Sequence, residues 1–189
     1  MKLYFVRHGE TDWNVQLRIQ GSTDTCLNEN GIRQANELGQ KLKDENLKVS
    51  KIYSSKQKRA FVTAETVGSY LDLPVEPLEG LEEMNLGLWE GISWVEVEKN
   101  YPKEFKLFYE NRRYTKTPKG ESYQDVLERL FVALKAIIEQ GEDAIVVTHS
   151  ALLYALFSYI HNTPFEEMRD HYHFANAQIY PVDASSLNL

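Results

Sequence analysis

The chain has 189 residues, of which 42% are hydrophobic and 26% charged, with a single cysteine, Cys26. This size and composition fit one globular domain and exclude a disordered tail, a collagen-like repeat, a coiled coil and a disulfide-stapled scaffold. A net charge of −7 disfavours a nucleic-acid binder, but it allows a small anionic substrate because a local cluster of Arg and His can form a positive pocket.

Two further features bear on where the protein acts. No run reaches the about 20 apolar residues of a membrane span, and charges at Lys2 and Arg7 interrupt the N-terminus too early for a signal peptide. A lone thiol also mildly favours a reducing compartment. We therefore expect a cytoplasmic protein with no membrane or nucleic-acid partner, and the sequence leaves its oligomeric state open.

Short β-rich runs alternate with helical periodicity along the chain, which predicts an α/β fold with a largely parallel sheet. The first half of the chain is predicted to hold, in order, a buried strand over 3–6, a helix on which Ile32, Ala35, Leu38 and Leu42 recur, a strand over 51–54 and a helix over about 57–71. Either Asn28 or Asn30 can cap the first of these helices.

The second half is predicted to begin its regular structure at Ser122, the N-cap of a long helix that ends near Gly141. Its inner face consists of Val126, Leu130, Leu134 and Ile137. A buried strand over 143–148, another helix around Leu152–Phe157 and an edge strand over 177–180, stopped by Pro181, follow. The aromatic-rich stretch from about 89 to 119 is interpreted as an inserted helical cap over one end of the sheet; two ordinary packing helices are an equally good interpretation.

Residues that can carry chemistry follow three of the predicted strands. The first strand runs into Arg7, His8 and Gly9, the second into Ser54-Ser55 with Arg59 beyond, and the strand ending at Thr148 into His149 and Ser150. Ligands of open α/β sheets bind outside the carboxyl ends of the strands. We therefore expect two histidines and two arginines to meet at one rim.

Such a set suits phosphoryl transfer. A neutral imidazole is a nucleophile that can accept a phosphoryl group, and arginine offers a fork of donors matched to its oxygens. A carboxylic acid must also protonate the departing oxygen. Spacing alone does not choose among the candidates Glu10, Glu82, Glu83 and Glu90.

The sequence resembles the histidine phosphatase superfamily, the phosphoglycerate mutase-like proteins, over about residues 3–150. The strongest match is Leu3-Tyr4-Phe5-Val6-Arg7-His8-Gly9-Glu10-Thr11-Asp12-Trp13-Asn14. Further motifs follow in the family's order: Arg18-Ile19-Gln20-Gly21, Asp24, Leu27, Gly31, Gln34-Ala35, Ser54-Ser55, Arg59-Ala60, Thr63-Ala64, Leu81 to Gly91, Gly120-Glu121-Ser122 and Val147-Thr148-His149. The resemblance implies a three-layer sandwich, with a mainly parallel sheet flanked by helices and a small inserted cap, in a single domain over 1–189.

The resemblance also implies roles for individual residues. His8 would be the nucleophile that forms a phosphohistidine, Glu83 the acid and base, and Arg7, Arg59 and His149 the phosphoryl-binding groups. Asn14 would contact the phosphate as well, and Gln20 or Gly21 would border the substrate. No metal or other cofactor is implied. Ser150 stands where the family usually has Gly and adds a hydroxyl near the phosphate; Cys26 and Asn28 also depart from the common pattern, in a turn and a helix cap.

The leading hypothesis is thus a metal-independent phosphomonoesterase acting on a small phosphate ester, with Glu83 protonated at the working pH. A phosphoglycerate mutase is the alternative, disfavoured by the short chain and the segment after Glu83. More remote are a zinc hydrolase using His8, His149 and Glu83 and a phosphate-binding pseudoenzyme. Arg112 and Arg113 are candidates for binding a carboxylate or second phosphate of the substrate. His161, His171 and His173 are given structural roles.

Overall fold

The structure, a computed structural model, describes residues 1–187 and 189. Its five strands are β1 Lys2–Arg7, β2 Lys51–Ser54, β3 Val75–Pro77, β4 Ala144–Thr148 and β5 Ile179–Asp183. Its α-helices within these residues are α1 Asp12–Val15, α2 Glu29–Asp44, α3 Lys58–Leu71, α4 Trp94–Asn100, α5 Pro102–Glu110, α6 Tyr123–Ile138, α7 Ser150–Ile160 and α8 Met168–His171. Short 3-10 turns cover Gly87–Trp89 and Ala184–Leu187.

The strands form one mixed sheet in the order β3-β2-β4-β1-β5. The first four are parallel to their neighbours, and β5 runs antiparallel to β1. Arg7 pairs with Thr148, and Ser54 pairs with Val147. Three central strands therefore end together, and the residues that follow them meet at one edge of the sheet.

Helices cover both faces of the sheet. Alternate residues of β1 point to opposite sides: Val6 packs in an apolar cluster with residues of α2 and α3, and Phe5 packs in a second cluster with residues of α6 and α7. These two clusters confirm the predicted three-layer α/β sandwich with a mainly parallel sheet.

The helix boundaries follow the predicted caps closely. Asn28 caps α2 by accepting from the Gly31 N–H, whereas Asn30 lies inside the helix. Ser122 caps α6 in a reciprocal capping box with Asp125, which satisfies N–H groups that the first turn leaves unpaired. Ile32 belongs to the predicted periodic set of α2 but is exposed.

Two predictions about strands were wrong. The last strand does not stop at Pro181; it continues through that residue, which pairs opposite Tyr4, to Asp183. Because β5 is an edge strand, a residue without an N–H is tolerated there. Strand β3 was missed, since it has only three residues and Pro74 and Pro77 interrupt its β-rich pattern.

The segment 89–119 contains α4 and α5. Its side chains Trp89, Val97 and Phe108 are buried in the same apolar cluster as Leu127 of α6. The rings of Trp89 and Phe108 meet edge to face, with centroids 5.3 Å apart. That this segment is an inserted cap remains a prediction.

A close backbone contact fixes the loop that follows β1. A Cβ atom on Gly9 would lie 2.6 Å from the carbonyl oxygen of Gly31, and one on Gly31 would lie 2.1 Å from that of Glu10. Only glycine fits at both positions, so the residues after β1 rest directly on the start of α2. Within the described residues, no helix is both long and apolar enough to cross a membrane.

Candidate active site

His8 and His149 lie side by side where β1 and β4 end. Their ring centroids are 5.2 Å apart, and both side chains are almost fully buried. The backbone N–H of His8 donates to the Thr148 carbonyl, which extends the β1–β4 ladder by one residue. The sheet thus holds the two imidazoles in a fixed relation.

The protonation of His8 is set by its own turn. Its Nδ1 lies 2.7 Å from the Gly9 carbonyl oxygen, and because a carbonyl can only accept, Nδ1 carries the hydrogen. Burial, followed by the positive charges of Arg59 and Arg7, holds the pKa of His8 well below its usual range. The ring is therefore neutral, with its lone pair on Nε2.

His149 is neutral for the same reasons. Burial, and then the positive charge of Arg59, holds the pKa of His149 well below the ordinary value. Its Nε2 is 2.8 Å from Ser55 Oγ, while its Nδ1 is buried and without a partner among the described residues. Ser55 Oγ also accepts from the Gln57 N–H, so the hydroxyl is held between the His149 ring and the start of α3.

The two arginines are anchored by backbone carbonyls. Arg7 Nη1 donates to Phe174 O at 2.7 Å, and Arg59 donates to Thr23 O at 2.8 Å and to Gly21 O at 2.9 Å. Burial lowers the pKa of both guanidinium groups, and the negative charge of Glu83 acts in the opposite direction. The Nε atoms of both side chains are buried and lack a partner among the described residues.

Glu83 sits against the start of α7. Its Oε1 accepts from the Ala151 N–H at 3.1 Å, and its Oε2 accepts from Ser150 Oγ at 3.2 Å. The backbone N–H of Glu83 donates to Gln57 Oε1 at 2.7 Å. The helix N-terminus and the segment before α3 therefore hold this carboxylate in place.

The other three candidate carboxylates are occupied elsewhere. Glu82 pairs with Arg129, and Glu10 accepts from the amides of Asn28 and Asn30. Glu90 accepts from the backbone and hydroxyl groups of Ser22 and Thr23. The geometry therefore favours Glu83 as the acid, and its role remains a prediction.

A cleft of about 520 Å³ opens over these groups. Eight residues that the sequence singled out line it: Arg7, His8, Glu10, Asn14, Gln20, Gly21, Glu83 and Ser150. Arg59 and His149 are fully buried; the charge of Arg59 acts on His8, and the ring of His149 lies 5.2 Å from that of His8. The structure thus brings together the five residues predicted to be catalytic.

The three predicted substrate-binding residues of the N-terminal segment also support the site. Asn14 Oδ1 accepts from the Thr11 N–H, and Gln20 Oε1 accepts from Thr11 Oγ1 at 3.0 Å. Gly21 has a left-handed backbone (φ 53°), and its carbonyl oxygen holds Arg59. A Cβ atom on Gly21 would lie 2.1 Å from Glu90 Oε1, so a side chain there would displace the loop that orients Arg59.

Arg112 and Arg113 do not line this cleft. The buried guanidinium of Arg112 stacks 3.9 Å from the Tyr109 ring centroid. Arg113 donates to Gln124 and borders a separate cavity. The turn after α5 directs both side chains into the packing around that helix, so the structure does not support their predicted contact with the substrate.

Several residues that line the cleft were not found from the sequence. They are Tyr123, Tyr154, Arg169, His173 and Asn176. The Asn176 amide donates to the carbonyl of His8 at 2.9 Å. His173 had been given a purely structural role. Four of these five come after Ser150, where the family resemblance fades.

No group of three or more His, Cys, Asp or Glu side chains among residues 1–187 and 189 is arranged to hold a metal ion.

The two buried histidines predict a specific dependence of stability on pH. Both have a pKa lowered in the folded protein, so below the ordinary value of about 6.5 the unfolded chain binds more protons than the folded one. The free energy of unfolding should therefore fall as pH drops from about 6.5 to about 5, by up to about 1.4 kcal/mol per pH unit for each histidine.

Urea denaturation at pH 7, 6 and 5 measures this slope. His8→Asn should lower this slope by up to about 1.4 kcal/mol per pH unit, the contribution of one histidine. His161→Asn, on an exposed residue, should keep the wild-type slope. A His8→Asn protein with an unchanged slope would show that His8 is not buried in its neutral form.

Comparison with known proteins identifies the family of this chain. The sequence model of the histidine phosphatase superfamily (branch 1) matches residues 3–186. Rat 6-phosphofructo-2-kinase/fructose-2,6-bisphosphatase 3 is 35% identical over 166 residues, which cover 88% of this chain and 29% of that protein. The chain thus spans about a third of the length of the curated relatives it matches.

Solved structures are similar over nearly their whole length. Bacillus stearothermophilus YhfR has a TM-score of 0.87 at 33% identity, covering 96% of this chain and 90% of that one. A phosphoserine phosphatase from Entamoeba histolytica in complex with 3-phosphoglyceric acid has a TM-score of 0.83 at 30% identity. The match covers 95% of this chain and 89% of that one. Their folds match the mixed five-stranded sheet with flanking helices described above.

Proposed function

Because this chain belongs to the histidine phosphatase superfamily, we propose that it hydrolyses small phosphate monoesters through a phosphohistidine on His8, without a metal ion. One observation carries the proposal: the neutral ring of His8, with its lone pair on Nε2, lines the cleft close to the buried guanidinium groups of Arg7 and Arg59, whose positive charges act on it. A phosphoryl group in the cleft would therefore meet a nucleophile and two positive charges together.

In the first step, Nε2 of His8 forms a bond to phosphorus while the bond from phosphorus to the ester oxygen breaks. The neutral ring can do this because its hydrogen is held at Nδ1 by Gly9. The positive charges of Arg7 and Arg59 neutralise the charge on the phosphoryl oxygens, and His149 helps to bind them. Glu83, protonated in the substrate complex, gives its proton to the departing oxygen, and an alcohol leaves.

In the second step, Glu83 takes a proton from a water molecule that attacks phosphorus. The bond from phosphorus to His8 Nε2 breaks, and inorganic phosphate leaves. The histidine and the carboxylic acid return to their starting forms. The hydrogen bond from the Ala151 N–H at the start of α7 holds the Glu83 carboxyl group in place. The same group can therefore act first as acid and then as base.

The relatives support a phosphatase. The names of the similar proteins include a bisphosphatase, a phosphoserine phosphatase and an α-ribazole phosphatase, which share no single substrate. We therefore propose the class, phosphate monoesters of small molecules, and no nucleic-acid partner. The free and exposed Cys26 thiol supports our proposal of a cytoplasmic location.

The test is an assay of an aryl phosphate in excess chelator, with a second aliquot quenched in base, in which phosphohistidine is stable. We expect full phosphate release and a phosphorylated peptide that contains His8, detected by mass spectrometry. Activity that is lost in chelator and restored by a divalent metal would instead support the metallohydrolase. Phosphate release without a modified His8 would refute the phosphohistidine.

A second assay separates hydrolysis from transfer. With 3-phosphoglycerate and a bisphosphoglycerate primer, an esterase releases inorganic phosphate, whereas a mutase returns the phosphoryl group to the sugar acid. We expect inorganic phosphate to be the main product. Net formation of the isomeric phosphoglycerate would favour the mutase.

A further inference from the structure

Arg169 presents a positive charge to the cleft from a part of the chain that the mechanism does not use. It lies in α8, and its guanidinium carbon is 5.2 Å from the Trp94 ring centroid and 5.9 Å from that of Tyr154. All three residues line the cleft. Two aromatic rings thus hold the guanidinium at the cleft wall, which restricts its orientation without consuming its N–H donors.

The charge of Arg169 is not neutralised by its neighbours. Its guanidinium makes no hydrogen bond or salt bridge with any residue in 1–187 or 189. Nearby carboxylates are engaged elsewhere: Glu166 accepts from the Arg112 N–H at 3.0 Å, and Glu167 pairs with His171 at 3.4 Å. The five donors of this side chain are therefore available to a ligand.

The influence of Arg169 reaches the phosphoryl end of the cleft. Its charge contributes to the lowered pKa of Arg7, and it acts against the burial that raises the pKa of Tyr123 to about 12. By contrast Arg18, which stacks on Trp13 across the cleft, lies near Glu96 and lowers the pKa of that carboxylate. Arg169 thus adds positive potential at Arg7 and Tyr123, where the charge of Glu83 acts in the opposite direction.

The transferred phosphoryl group already has its own donors. Arg7 and Arg59 supply two positive charges close to His8, and His149 lies beside it, so a third cation is in excess of what three phosphoryl oxygens need. An exposed guanidinium on the wall is better suited to the part of the substrate that leaves.

We infer that Arg169 binds a second anionic group, a carboxylate or a phosphate, on the alcohol portion of the substrate. Preferred substrates are then phosphate monoesters that carry a further negative charge. The inference rests on the proposed function, because it assumes that the monoester phosphate occupies the site around His8. Arg169 thus takes the anion-binding role that the sequence predicted for Arg112 and Arg113.

The test compares two compounds that differ in one group. 3-Phosphoglycerate carries a carboxylate where glycerol 3-phosphate carries a hydroxymethyl group, and each can be measured as a competitor of aryl phosphate hydrolysis whether or not it is turned over. We expect the wild-type protein to bind 3-phosphoglycerate more tightly. Arg169→Met should reduce this preference by about ten- to a hundred-fold, the range of a hydrogen bond to a charged group.

Two further variants sharpen the comparison. Arg169→Lys keeps the charge but loses the planar fork, so it should retain part of the preference. Arg113→Met removes an arginine that also stacks on aromatic rings but lies outside the cleft, and it should keep the wild-type preference.

The outcomes separate the two proposals. A wild-type protein that does not hydrolyse aryl phosphate would overturn the proposed function itself. A protein that hydrolyses it but binds both competitors equally would overturn the role of Arg169 alone, as would an Arg169→Met variant that keeps the preference or weakens both competitors to the same extent.

Discussion

Replacing His8 with alanine is expected to abolish phosphatase activity, lowering kcat for an aryl phosphate by roughly 10⁴- to 10⁶-fold. Alanine has no nitrogen to form the bond to phosphorus, and the remaining groups can only bind and polarise the ester. Steady-state phosphate release measures the loss, and mass spectrometry of the base-quenched protein should find no phosphohistidine.

The arginines should still bind anions in this variant. Arg7 and Arg59 are held by backbone carbonyls rather than by His8, so inorganic phosphate should still bind in a calorimetric titration. His161→Ala, on an exposed histidine, is the matched control and should keep full activity. A His8→Ala protein that folds, binds phosphate and retains even a tenth of the wild-type rate would disprove the assignment of the nucleophile.

Glu83→Gln should lower kcat by about 10²- to 10⁴-fold, the usual contribution of a general acid or base. The amide keeps the shape of the side chain, and its oxygen can still accept from the Ala151 N–H, but it can neither give nor take a proton. An aryl ester with a good leaving group needs little protonation, so the first step should suffer least with such a substrate. The second step then becomes limiting, and phosphohistidine should accumulate.

Rapid mixing followed by a base quench detects that accumulation. Glu82→Gln is the matched control, because this adjacent carboxylate pairs with Arg129. The variant should keep the phosphohistidine level and the steady-state rate close to those of the wild type. If Glu83→Gln gave no phosphohistidine with an aryl ester, or if Glu82→Gln caused the same loss, the acid and base would have to be sought elsewhere.

The core of the site could be predicted because it obeys local rules. Apolar β-rich runs lead into Arg7-His8 and into His149, and strands of a parallel sheet bring their carboxyl ends to one edge. Those two facts, with Arg59 at the start of the next helix, already place four groups together. The choice of Glu83 among four carboxylates needed more: the family resemblance indicated it, and the hydrogen bonds to α7 agree with it.

The wall of the cleft could not be predicted, because it depends on how irregular segments turn. Arg169 belongs to a four-residue helix, too short to leave a periodic signal. Arg112 and Arg113 seemed suitable for binding an anion by residue type alone, but the turn after α5 places them in aromatic packing. A charged residue in a connecting segment has no neighbour in sequence that fixes which way it faces.

The site around His8 is closed by contacts that span almost the whole chain. Its carbonyl accepts from Asn176, 168 positions away, and its N–H donates to Thr148 on a strand paired in parallel. Pairings this distant are slow to form, because the long intervening loop must close before they contribute any stability. Catalytic competence should therefore appear only in the last phase of refolding, so that enzyme activity, rather than helical signal, reports when this molecule has finished folding.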